Sequence, residues 1–322
     1  VNVNKSVNLI ANGAVNVTSA AATDDHVFEV TADDVNITGF DISGAEGTYG
    51  DAYAGIFYNG VIGGKAEGNN LHNNRVNIFL KSCNDVTVKG NEALGPISNY
   101  GNIRLKNSHH CTIEGNTVKD TQYGIYLEEG TSEADACTYN TITGNTLSRA
   151  GIAYSQGYGI YLKKYCNHNT ITNNTATGWK VCDLDPEDDL GAGLYLRGAD
   201  GDDTGNIVSG NTLSENGWGI KLRSSDCEIT DNIISGNTEY GICFYKENSI
   251  NNIITGNDIT GNPTGIYYDS RVTDVTNTIS CNNIVGNTNL GIDASALTPP
   301  LVVDATCNWW GDNSGPYHAT LN

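Results

Sequence analysis

Seven of the 17 lysines and arginines, Lys81, Arg104, Lys106, Lys163, Arg197, Lys221 and Arg223, recur at two fixed offsets in copies of one short run, as in "YGIYLEE", "YGIYLKK", "AGLYLRG" and "WGIKLRS". Read down the copies, the first offset gives Glu29, Phe57, Phe79, Arg104, Tyr126, Tyr161, Tyr195, Lys221, Cys243, Tyr267 and Asp293. Two residues further on, the second gives Thr31, Asn59, Lys81, Lys106, Glu128, Lys163, Arg197, Arg223, Tyr245 and Asp269. Aromatic faces stack on sugar rings and cations hold carboxylates or sulfates, so such a stripe suits an anionic polysaccharide. Tyr and Arg are equally favoured where a subunit docks. Aromatic ladders also stabilise a sheet by themselves, at roughly 0.2–1 kcal/mol per pair. The residues leave all three readings open.

A second group is acidic. "CDLDPEDDLGAG" and "GADGDDTG" place Asp185, Asp188, Asp200 and Asp202 in two Gly-rich loops on either side of the Leu194 run. Clustered carboxylates of this kind can supply some of the six to eight oxygens that Ca²⁺ takes, although neither loop has the EF-hand spacing. The alternative is a solvated acidic surface. Calcium is the one cofactor the chain suggests. His109 and His110 are adjacent, face opposite ways in a strand, and cannot share a metal. The sequence contains no G-x-S-x-G, phosphate loop or CxxC, and no catalytic residue is assigned from it. A formal net charge of -20 disfavours nucleic acid as a partner. No apolar run approaches the roughly 18 residues of a membrane-spanning helix. A first residue that is not Met, inside a strand-like "VNVNKSVNLIANG", reads as a processed or truncated start.

The elements that position these groups repeat. A polar turn ending in Asn marks each copy: Asn12, Phe40, Asn69, Asn91, Asn116, Asn145, Asn174, Asn211, Asn232, Asn257, Asn282 and Asn308. Most steps are 22 to 29 residues, with one of 37 and one of 21. That period means a solenoid. Around each Asn lie short alternating runs such as "TIT", "TVK" and "TLS", followed by the Gly-Ile-x-Leu run, so each copy reads as three strands of three to five residues. Alternation turns Ile125 and Leu127 inward and Tyr126 outward. One inward column then runs Ile56, Ile78, Ile103, Ile125, Ile160, Leu194, Ile220, Ile242, Ile266 and Ile292. Asparagine suits the step because it tolerates left-handed backbone angles and its amide both donates and accepts between coils. The expected fold is all-β: a parallel β-helix of about twelve coils with an Asn ladder. It forms a single domain over 1–322, with insertions near 128–139, 178–191 and 198–205 and a terminal segment at 305–322.

The same register speaks to the nine cysteines. Cys137 and Cys166 stand at equal offsets from their ladder residues in consecutive coils, as do Cys281 and Cys307, and stacked positions lie about 4.8 Å apart. Two disulfides, Cys137–Cys166 and Cys281–Cys307, are therefore expected, with an oxidising exterior as the location. Buried free thiols are the alternative. An odd count leaves one thiol over, and Cys243, in the outward column, is the candidate for a bond to another chain. Sequons at Asn4, Asn16, Asn36 and Asn173 are the candidate glycosylation sites of a secreted protein.

With this ladder, three short strands per coil and a closing "CNWWGDNSGPY", the chain resembles the right-handed parallel β-helix proteins of the pectate-lyase-like superfamily, and most closely their NosD-like repeat branch. The ending is similar to one common on β-helix domains of archaeal and bacterial surface and sheath proteins. The resemblance implies the fold over nearly the whole chain and leaves function open, since the fold carries lyases, hydrolases, epimerases, adhesins and scaffolds alike. The "DPEDD" run is similar to the DPHD motif of β-helix alginate epimerases, but Glu187 replaces its histidine. The polygalacturonase pattern is absent, because "GDD" at 201–203 follows "RLK" at 104–106. A copper role implied by the NosD-like resemblance finds no Met and no His cluster. The function expected is a secreted, disulfide-stapled, self-assembling structural or adhesive element of a cell envelope, of surface-layer, sheath or adhesin type. Its partners would be copies of itself and a cell-surface polysaccharide. The rival is a lyase, epimerase or hydrolase acting on an uronic-acid polymer through the basic aromatic face.

Overall fold

A computed structural model describes the chain except residues 20–24, 47–52, 96–100, 129, 151–156, 181–190, 199–204, 248, 300 and 313–322. Its strands form three parallel sheets: twelve strands in sheet A, from Asn2–Val3 to Leu290–Asp293, eleven in sheet B, from Asn8–Ile10 to Thr278–Ser280, and ten in sheet C, from Asn16–Thr18 to Asp258–Thr260. Neighbours in every sheet are one coil apart in sequence. This is a β-solenoid, and the inward column stacks as the alternation requires, with Ile78 on Ile103, Ile103 on Ile125, Ile125 on Ile160 and Ile160 on Leu194.

A parallel coil needs each buried backbone group at its corners satisfied. The ladder does this. Asn145 Nδ2 donates to the Ile113 carbonyl at 2.8 Å and to Asn174 Oδ1 at 2.9 Å, while Asn145 Oδ1 accepts from the Asn116 backbone N–H at 2.9 Å. The same pattern runs from Asn69 to Asn308, and in the coil where the ladder residue is aromatic, the Phe40 N–H still donates to Asn69 Oδ1. The left-handed residue is not the ladder asparagine but the one before it: Gly68, Gly90, Gly115, Asn173 and Asp231 all have φ between 55° and 63°. Glycine dominates there because it meets no Cβ penalty.

Two further ladders occupy the other corners. Asn140, Asn169 and Asn206 form one, resumed by Asn252 and Asn277; Asn216, Asn237, Asn262 and Asn287 form another. Cys227 takes the ladder position where the first of these is interrupted and Cys111 the position one coil before it begins, their backbone N–H groups donating to Asn252 and Asn140.

The expected disulfides do not form. None of the eight described cysteines is joined to another in a disulfide; Cys137 and Cys166 are buried, Cys281 and Cys307 exposed. The stacking is as expected, since the Cys281 N–H donates to the Cys307 carbonyl at 2.9 Å. Register is not enough, however: stacked residues carry parallel Cα–Cβ vectors, so their Cβ atoms stay about 4.8 Å apart, outside the 3.5–4.5 Å a disulfide spans. Cys166 Sγ lies instead against the Leu127 and Glu128 carbonyls, at 3.7 and 3.5 Å. The described coils are held by ladders and not by staples.

Candidate functional site

The outward face of sheet A carries both predicted columns in register. Phe57 lies beside Phe79, Phe79 beside Arg104, then Tyr126, Tyr161, Tyr195, Lys221, Cys243, Tyr267 and Asp293 in turn. Their rings stack: Phe57 on Phe79 at 5.2 Å, Tyr126 on Tyr161 at 5.4 Å, Tyr161 on Tyr195 at 5.2 Å. Cations complete the stack where rings are missing. Arg104 lies over Phe79 at 4.8 Å and Tyr126 at 5.9 Å, and Lys221 Nζ sits 3.9 to 4.9 Å from Tyr245, Trp218 and Tyr195. His26 extends the stack beyond Phe57 at 4.1 Å, and burial lowers its pKa to about 4, so the ring is neutral at pH 7.

This column is not an open groove. Tyr126, Tyr161 and Tyr195 are only 4 to 6% exposed and Lys221 2%. A flanking column that the sequence reading missed, Tyr123, Tyr158, Trp218 and Tyr240, packs against it; Tyr123 stacks on Tyr158 at 5.7 Å. The missed signal was the residue before each Gly of the run, aromatic in these four copies. Cys243 is in the expected column but buried, 1% exposed within the aromatic cluster, and burial pushes its thiol well above the ordinary range. A thiol so covered does not suit a bond to another chain, which corrects that assignment.

The second column lies at the solvent edge. Lys81 is exposed and stacks beside Lys106; Arg197 stacks beside Arg223; Lys106, Glu128, Lys163, Arg197 and Arg223 are all half-buried. Backbone bonds from Glu128 to Leu105 and from Lys163 to Leu127 set the intervening coils in the same row. Glu128 receives the Arg104 guanidinium, through a 3.0 Å bond from Nε and a closer one from Nη2, and Lys106 Nζ at 3.1 Å. Burial alone would raise its pKa; Arg104 and Lys106 outweigh it and hold the carboxyl below its usual range. Arg197 donates to the Tyr161 hydroxyl at 3.0 Å and Arg223 to Glu247 at 3.0 Å. At the far end, burial of Asp269 is outweighed by its hydrogen bonds from Arg271, which again holds the carboxyl low.

Asp185, Asp188, Asp200 and Asp202 lie outside the described residues. Asn4, Asn16 and Asn173 are exposed, whereas Asn36 is half-buried and donates to Asn8 Oδ1 at 2.6 Å. His109 and His110 do part, as expected: His109 Nδ1 pairs with Thr138 Oγ1 at 2.7 Å, and His110 joins a surface stack with Tyr139 and His168, at 5.3 and 5.0 Å.

Residues 101–284 match the family described as "Right handed beta helix region", and residues 4–181 match "Periplasmic copper-binding protein (NosD)". No curated protein matches the chain. Similar solved structures include the Dettilon tailspike protein (TM-score 0.63, 15% identity, covering 91% of this chain and 59% of that one). A tailspike mutant of E. coli bacteriophage HK620 in complex with a hexasaccharide follows (0.62, 12%, 95% and 57%), as does the periplasmic alginate epimerase AlgG (0.51, 15%, 88% and 76%). The chain thus spans less than two thirds of either tailspike. No helix among the described residues is long and apolar enough to cross a membrane. Copper as a three- or four-ligand centre does not fit the donors present, because no three His, Cys, Asp or Glu gather among the described residues and the chain has no Met. By fold, by ladder and by these matches, the chain belongs to the right-handed β-helix family, in its NosD-like branch.

Proposed function

We propose that this chain is an extracytoplasmic structural or adhesive β-helix that holds an acidic polysaccharide along the second column of sheet A, without cleaving it. The observation that carries the reading is the row itself. Lys81, Lys106, Lys163, Arg197 and Arg223 fill five of six consecutive coils, one strand spacing of about 4.8 Å apart, with Glu128 in the sixth. Like charges directly opposite one another destabilise a sheet, and the chain as a whole carries -20. A polymer with carboxylates along its length relieves that repulsion, and Tyr240 and Tyr267, half-buried and stacked at 4.3 Å in the two neighbouring columns of the same face, add an apolar surface for sugar rings. The tailspike solved with a hexasaccharide and the alginate epimerase supply the ligand class by analogy of fold. Copies of the rod, basic along one strip and acidic elsewhere, can also meet face to unlike face, which builds rings or filaments.

Catalysis on an uronic-acid polymer is the second reading, favoured by the same neighbours. Against it, the described carboxylates with displaced titration, Asp41, Glu128, Asp135 and Asp269, are all displaced downward, whereas a general acid needs a carboxyl held protonated near neutral pH. The test is affinity electrophoresis through alginate or polygalacturonate, with dextran as the neutral control. Retardation by the acidic gels only, weakened by salt and reduced at least about tenfold in Arg197→Gln/Arg223→Gln, is the expected result. Equal retardation by dextran, or an unaffected double variant, overturns the binding row. Release of unsaturated or shortened uronides by the wild-type protein returns the catalytic reading.

A further inference from the structure

We propose that the ring stack of His110, Tyr139 and His168, on the turns between sheets A and B, is a second glycan site that takes an uncharged, extended chain of β-1,4-linked pyranose rings. The site is independent of the basic row. His110 falls between the Ile103–Lys106 strand of sheet A and the Thr112–Glu114 strand of sheet B, and Tyr139 and His168 follow it in the next two coils.

The turn itself does not call for rings. The position has a left-handed backbone, and the other coils fill it with Asp34, Gly63, Asp85, Gly205, Asp226 and Asn251, aligned by bonds such as that from the Asp85 N–H to the His109 carbonyl. Those residue types tolerate such angles. His110, Tyr139 and His168 adopt φ of 54°, 58° and 54°, which for a residue as bulky as tyrosine is an outlier. Nor does burial offset it: Tyr139 is 51% exposed, whereas Tyr126, Tyr161 and Tyr195 are 4 to 6% exposed. Strain that gains no burial points to a ligand.

The geometry says which ligand. His110 and Tyr139 lie 5.3 Å apart at 11°, Tyr139 and His168 5.0 Å apart at 16°. Parallel rings in contact are about 3.5–4 Å apart plane to plane, so these separations contain a sideways slip of roughly 3–4 Å. The rings overlap as tiles, with part of each face uncovered. Pyranose C–H groups carry partial positive charge and lie against the negative face of such a ring. A β-1,4-linked chain is flat and extended, and its successive rings follow one another at close to the coil spacing of about 4.8 Å. Beside the rings Thr112, Thr141 and Thr170 stack in register, outward and half-buried, and offer hydroxyls to the sugar's own. None of these six residues is Lys, Arg, Asp or Glu, so the site suits a neutral glycan where sheet A suits an acidic one.

Affinity electrophoresis of the whole chain through hydroxyethyl cellulose, with α-linked dextran as the control, tests the assignment. Retardation by the cellulose derivative and not by dextran is expected, unchanged by salt and by Arg197→Gln/Arg223→Gln. Tyr139→Phe keeps the ring and should keep the retardation. Tyr139→Asn, which suits the left-handed turn, should reduce it at least about tenfold and leave the melting temperature unchanged or raised. Saturation-transfer NMR with cellohexaose should place the contact on sugar C–H protons in the wild type and in Tyr139→Phe, and lose it in Tyr139→Asn. An unretarded wild type, or undiminished binding by Tyr139→Asn, overturns the proposal. So does a clearly lower melting temperature of Tyr139→Asn, which would make the ring a structural element.

Discussion

Sheets B and C are buried on one face, the middle strands of sheet A on both, although all three are built from the same alternation. The Thr141–Thr143 and Thr175–Thr177 strands bury only their middle residue, while every residue of Tyr158–Leu162 is buried. In sheets B and C the outward positions hold Thr, Ser, Lys and Glu, which are satisfied by water and by one another, as in the Lys89–Glu114 pair at 3.2 Å. In sheet A they hold rings and cations that cover each other. An outward residue in this fold is therefore of two kinds: solvated where its neighbours are small and polar, and part of a second core where they are large and flat.

The comparison can be broken at three places. Asn145→Leu should have the largest effect, because it strands the Asn116 N–H and the Ile113 carbonyl inside the coil. At about 1–3 kcal/mol for each unsatisfied group, a loss of about 4 kcal/mol is expected in urea unfolding, against less than about 0.5 for Thr143→Ala on the solvated face of the same strand pair. Next, Tyr161→Ala tests whether the outer face of sheet A is a core. Removing a ring only 4% exposed should cost about 3 kcal/mol; a change under 1 kcal/mol would make the face a surface after all. The smallest effect belongs to Glu128, whose folded pKa lies below its unfolded one. Its contribution is complete above the ordinary carboxylate range and is lost as pH falls through the depressed folded value. Glu128→Gln should cost about 1–2 kcal/mol at pH 7, and melting temperatures of variant and wild type should converge as the pH is lowered.

Much of this was legible beforehand, for a physical reason. Period-two alternation anchored by a Gly fixes both register and facing, so the columns through Ile125 and through Tyr126 are where the sequence places them. Burial of the outer column was not legible, because alternation says which way Tyr161 points and not what lies over it. The second ladder escaped notice because Cys111 stands where it would begin and Cys227 interrupts it, leaving no long unbroken period to find. The disulfides were misread by treating a shared coil position as a shared Cβ distance. The left-handed residue was misplaced by one, since Asn at the ladder and Gly before it are both turn formers, and only the hydrogen bonds separate their tasks.

The ladder amides all point one way. From Asn69 to Asn308 each side chain donates to the next coil and accepts from the one before, so their dipoles align along the axis. A ribosome delivers the coils in that same order. The newest coil then always ends in donors awaiting an acceptor that has not yet been made, and each arriving coil completes the one beneath it before it is complete itself. Growth has a polarity written into a single side chain: an unfinished rod carries its hydrogen-bonding debt at its leading tip, where the next stretch of chain is already emerging.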